Sequence, residues 1–184
     1  MNHEGLSPVL FRRAKSKPLT IENINLSTDD DLDQLVMDGL EEIFSACNYN
    51  TANFIKRLPF ELKAFYLTWV VEGEVNNGGF NQLYWNGYGY YANDALQAFI
   101  FFGAKEHANI MSEAITIRKK ESVFISLLKI IGTTRAFSYS YKISKLNIAD
   151  AKFYNINESL SSLRVAKIRE NPNFFALASS ESCA

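Results

Sequence analysis

The segment Phe60 to Glu74 constrains this chain more than any other. Pro59 precedes it, in the place where a proline suits the first turn of a helix. The polar residues Glu61, Thr68 and Glu72 project onto a narrow strip, and nearly everything else is apolar. A helix apolar most of the way round has to be enclosed by other elements. The β-branched and aromatic run Phe65 to Val71 would also suit a strand, but length and the leading proline favour a helix.

The remaining segments supply the enclosing elements. Ser27-Thr28-Asp29-Asp30-Asp31 reads as a helix start, with hydroxyl caps and carboxylates in the first turn. From there Leu32, Leu35, Val36, Leu40, Ile43 and Phe44 form an apolar stripe at helical spacing, with Asp30, Asp31, Asp38, Glu41 and Glu42 opposite. Asn76-Asn77-Gly78-Gly79 reads as a turn, and Phe80 to Trp85 as a short helix that breaks at Asn86-Gly87-Tyr88-Gly89. Asn93 is placed to cap a helix running to Phe102, with Gly103 as its left-handed terminator. Further helices are expected over 104–117, 121–131 and 157–170. Phe137, Tyr139, Tyr141 and Ile143 alternate with Ser138, Ser140, Lys142 and Ser144, which predicts one extended segment near 136–144. The fold expected is therefore all-α: a single multi-helix domain over 27–176, with an N-terminal tail or arm over 1–26 and a C-terminal tail over 177–184.

Charge is distributed unevenly. The formal net charge is −1, yet eight acidic residues and no Lys or Arg lie between Pro18 and Ile55. Between Arg118 and Arg169 eleven basic residues face only Glu121, Asp150 and Glu158. With 47% hydrophobic and 14% aromatic residues the chain is too apolar for disorder. The longest apolar run, Ala98 to Ala104, is far below a membrane span. Cys47 and Cys183 are far apart in sequence, so free thiols in a reducing, cytoplasmic setting are the simpler expectation, with Cys47 buried.

The segment Glu72-Gly73-Glu74-Val75-Asn76-Asn77-Gly78-Gly79-Phe80-Asn81-Gln82 resembles the signature of a bacterial family named for its DNA-mimic member, the DNA mimic protein C-terminal domain. Leu67 to Glu72, Ala95-Leu96 with Gly103-Ala104, and Phe153-Tyr154 with Asn171-Pro172-Asn173-Phe174 support the resemblance, which covers about residues 58–175. It implies an all-helical, often dimeric domain without a known reaction. The member that names the family carries an acidic surface imitating DNA and occupies a DNA-binding regulator. This chain departs from that pattern in being nearly neutral.

Three sites follow as candidates. The first is the acidic face Asp30, Asp31, Asp38, Glu41 and Glu42, expected to bind a protein partner with a basic surface, such as a transcription regulator. Seven carboxylates lie between Asp29 and Glu42, where ~22 Å of duplex would carry about 13 charges. A solvated helix face is the ordinary alternative. The second is the motif Glu72, Glu74, Asn76, Asn77, Gly78, Gly79, Phe80 and Gln82. Here glycines that tolerate positive φ, and an Asn76 or Asn77 cap, make a structural turn. Glu74 would accept backbone N–H bonds across it, and a small-ligand or enzymatic site is the alternative. Glu72 and Glu74 are two residues apart and point ~200° from each other on a helix, which disfavours an acid–base pair. The third is the basic half, Arg118, Lys119, Lys120, Lys129, Arg135, Lys142 and Lys145 with Phe137, Tyr139 and Tyr141, which would suit nucleic acid. The even overall charge disfavours that reading. His3 and His107 lack the convergent ligands of a metal site, so no metal, no cofactor and no catalytic residue is expected. The Tyr84–Tyr91 aromatic turn suits either a contact surface or packing over the core.

Overall fold

A computed structural model describes residues 18–47 and 50–177. The described residues are organised as ten α-helices with two short 3-10 turns. They divide into two compact units, one formed by residues 18–47, 50–62 and 165–177, the other by 63–164.

In the first unit α1 (Ile21–Leu26) and α2 (Asp29–Ala46) are separated by a two-residue link. Each begins at a threonine, Thr20 or Thr28, whose hydroxyl accepts the N–H three residues on. The sequence shows no helical period before residue 27, yet α1 buries Ile24 completely, and the preceding Leu19 is buried too. Leu19 accepts a backbone hydrogen bond from the Leu177 N–H. Leu19 also lies where any side chain on Gly39 of α2 would collide with it. Arg169 fastens this region: its guanidinium donates to the carbonyls of Ile24 and Ser27 and pairs with Asp29 at 2.8 Å. A short third helix, α3 (Thr51–Arg57), is capped by Asn50, and its Phe54 meets Phe44 edge-on.

Cys47 ends α2 half-buried and is disulfide-bonded. This corrects the expectation of a buried free thiol. Cys183, the only other cysteine, lies outside the described residues.

The second unit is built on α4 (Phe60–Trp85), whose first turn belongs to the first unit. It buries Phe65, Leu67, Val71, Val75, Phe80 and Leu83, which confirms a helix for the apolar segment. Around it stand α5 (Ala92–Phe102), α6 (Lys105–Lys120), α7 (Ser122–Ile131), α8 (Thr134–Ile143) and α9 (Leu146–Phe153). The first half of α10 (Leu160–Glu170) completes the unit. Gly103 and Gly132 end α5 and α7 with φ of 74° and 66°. Asn93 sits inside α5, which has no side-chain cap.

The extended segment expected near 136–144 is a helix. Thr133 caps it by accepting the Ala136 N–H. The buried positions are Ala136 and Ser140, four residues apart, whereas Tyr139, Tyr141 and Ile143 are exposed. The aromatic alternation suggested a strand because it marks the wrong face. The core contact is made by small residues, and their spacing is helical.

Candidate functional site

The motif Glu72–Gln82 spans the kink at which two helical segments of α4 meet, and the turn read from its glycines is present at Gly78 and Gly79. Gly79 has φ 71° and ψ 178°, a conformation essentially confined to glycine. Gly78 is extended at φ −163°, so its requirement is space, because a Cβ there would run into the Gln82 side chain. The kink leaves the second half of α4 with unsatisfied N–H groups. Neither Asn76 nor Asn77 supplies the cap. The Phe80 N–H donates to Asp150 Oδ1 of α9 at 2.7 Å. The Asp150 carboxylate occupies the space that a Gly79 side chain would need. Burial raises the Asp150 pKa, and the Phe80 hydrogen bond offsets only part of that.

Other parts of the motif are engaged in the same way. The Tyr154 hydroxyl donates to the Val75 carbonyl at 2.7 Å. The Asn81 amide donates to Ser140 Oγ at 3.1 Å, tying the motif to α8. Glu74 accepts the side-chain amides of Gln82 at 3.0 Å and Asn86 at 2.8 Å, rather than the backbone N–H groups expected. Glu72 pairs with Arg164 at 2.8 Å. That guanidinium is 1% exposed and lies 5.5 Å and 5.2 Å from the ring centroids of Phe65 and Trp69. The two carboxylates therefore serve different partners and do not converge.

A shallow, open cleft of about 390 Å³ lies beside the motif, lined by Asn77, Gln82, Trp85, Asn86 and the 132–134 turn with Phe137. Phe137 meets Trp85 edge-on at 5.2 Å. In the aromatic turn, Tyr84 and Tyr88 are partly buried, and burial pushes both phenols upward. Tyr90, by contrast, is 87% exposed.

His107 is buried and holds Glu158 at 2.8 Å. Burial pushes the Glu158 pKa up, but hydrogen bonds from the His107 ring and from the His107 and Glu106 N–H groups outweigh it, and the net shift is downward. Among the described residues no group of His, Cys, Asp and Glu is arranged to hold a metal ion.

The acidic helix α2 presents Asp30, Asp31, Glu41 and Glu42 on its exposed side, and Asp38 half-buried. Its opposite face buries Leu32, Leu35, Val36 and Leu40. Asp33, one of the seven carboxylates, is buried, and Asp29 pairs with Arg169. Asp31 accepts the Thr28 hydroxyl, and Asp38 accepts the Gln34 amide at 2.6 Å. Of the basic residues read as a third candidate, Lys119, Lys120, Lys129, Arg135, Lys142 and Lys145 are exposed. Arg118 is half-buried, with its guanidinium 5.6 Å from the centre of the Tyr84 ring.

These features define an all-helical protein whose most distinctive motif is a structural kink and whose surface carries one acidic helix. The chain belongs to the DMP19-like protein family, whose model matches residues 56–171. No curated protein and no solved structure matches it. Among the described residues no helix is long and apolar enough to cross a membrane.

Proposed function

We propose that this protein is a non-catalytic binding module that engages the basic surface of another protein through the exposed carboxylates of α2. A DNA-binding regulator is the kind of partner that family membership favours. The observation that carries the reading is the fixed orientation of α2. Burial of Leu32, Leu35, Val36 and Leu40 turns Asp30, Asp31, Glu41 and Glu42 toward solvent along one helix. Such a row attracts a cationic groove from a distance and sets its register at contact. A homodimer would lengthen the acidic surface beyond the ~27 Å that 18 helical residues span.

The test compares wild type with Asp30→Lys/Glu41→Lys/Glu42→Lys, three exposed positions, with circular dichroism verifying that the variant folds. Wild type is expected to retain DNA-binding proteins from its native host, to release them as salt rises, and to release them to added duplex DNA. The reading fails if the charge-reversed protein retains the same set, or if duplex DNA does not compete.

A further inference from the structure

α7 is the most apolar surface helix of the described chain, and most of it faces solvent. Val123 is 76% exposed, Leu127 57%, Ile130 82% and Ile131 61%, while Ile125 alone is turned into the core. The patch continues onto α8, where exposed Tyr139 meets exposed Phe124 with ring centroids 6.5 Å apart. It is firmly mounted, because Ala136 and Ser140 are buried and Ser140 is bonded to Asn81. A contiguous apolar surface of this kind marks an interaction site.

The charges on the same helices are of one sign. Lys120 leads into α7, Lys129 lies on it, and Arg135 and Lys142 lie on α8, all exposed. The one nearby carboxylate, Glu121, is taken up by the Ser144 hydroxyl at 2.6 Å and the Lys145 N–H at 2.8 Å. Arg118, at the end of α6, has a buried guanidinium nitrogen without a hydrogen-bond partner.

From this combination we infer that the α7–α8 face is a second docking surface, distinct from α2, and that its partner is an acidic amphipathic helix. Aliphatic residues on such a helix cover Val123, Leu127, Ile130 and Ile131, and its flanking carboxylates meet Arg135 and Lys142. A second copy docked two-fold on this face would oppose these cations to themselves. The chain's first 17 residues carry Arg12, Arg13, Lys15 and Lys17 against Glu4, the wrong sign for this surface. Residues 178–184 contain no large apolar side chain. Nucleic acid has no use for four exposed aliphatic groups, and acyl chains would leave the exposed hydroxyls of Ser126, Ser138 and Tyr139 without partners.

The full chain should be titrated by fluorescence anisotropy with two labelled helical peptides of about 20 residues, long enough to hold a helix. Both carry leucine at i, i+3, i+4 and i+7, one with glutamate and the other with lysine on its remaining faces. The glutamate peptide is expected to bind and the lysine peptide not to. Leu127→Asp/Ile130→Asp and, separately, Arg135→Glu/Lys142→Glu should each weaken binding by about tenfold or more. All four positions are exposed, and circular dichroism verifies that each variant folds. No binding, equal binding of both peptides, or indifference to both variants overturns the proposal. So does capture of wild type but not Leu127→Asp/Ile130→Asp by phosphatidylcholine vesicles containing phosphatidylserine, a duplex-DNA shift abolished by the same variants, or a dimer that they dissociate.

Discussion

Single residues in this molecule act mostly at the α4 kink. Gly79→Ala forces a Cβ into the Asp150 carboxylate at a φ that alanine avoids, and it should cost about 3 kcal/mol in urea unfolding at neutral pH. Asp150 gives a pH signature. Its folded pKa is raised above 3.8, so the native state binds this proton more tightly than the unfolded chain does. Its contribution to stability is therefore largest in acid and declines as pH rises from about 4 through the raised value. Asp150→Asn keeps an oxygen for the Phe80 N–H and cannot titrate. The stability difference between wild type and this variant should shift against wild type from pH 4 to pH 7, and a pH-independent difference would contradict the assignment. Glu72→Ala removes one partner of the buried Arg164 guanidinium and should lower stability in urea unfolding by about 1–3 kcal/mol. The three carboxylates of the basic half have structural uses: Glu121 holds the start of α9, Asp150 caps the kink and Glu158 holds His107. Their rarity among eleven basic residues was visible in the sequence. Their partners, 23 to 70 positions away, were not.

At the scale of elements the informative case is α8. Ser138 is exposed in its middle, so Ser138→Pro should cost ~3 kcal/mol and lower helical circular dichroism, while Ser138→Ala should be neutral or slightly stabilising. An extended edge segment would tolerate the proline. The misreading of this segment has a physical origin. Periodicity locates a buried face only where that face is apolar, and α8 hides a serine while displaying tyrosines. The reading of α2 succeeded because its cap, its acidic first turn and its leucine stripe all point to one helix. α1 is too short for a period to show, and it is held from outside by Arg169 and the Leu177 N–H.

Across the whole molecule, acidic residues concentrate before residue 56 and basic ones after residue 117, although the net charge is −1. Steering by α2 is then a local effect, strongest where α2 itself faces the partner. Raising salt from ~0.05 M to ~0.5 M shortens the Debye length to a few ångströms, and the association rate with a basic partner should fall by about tenfold or more with much less change in dissociation. Stopped-flow association at both salt concentrations measures this, and a salt-independent rate would remove α2 from the recognition step.

Local chemistry was sufficient to establish an all-helical chain, the acidic face of α2, the buried first half of α4, and the need for a special backbone at Gly79. Caps, apolar stripes and glycine conformations act over a few residues, so a short window contains the whole interaction. Tertiary structure alone decided that Asp150 caps the kink, that Glu72 neutralises a buried arginine, and that α8 turns its serine inward. It also decided that α7 leaves its aliphatic side chains in water. Each of these depends on which distant group comes to lie opposite, and that is set by packing rather than by neighbours along the chain.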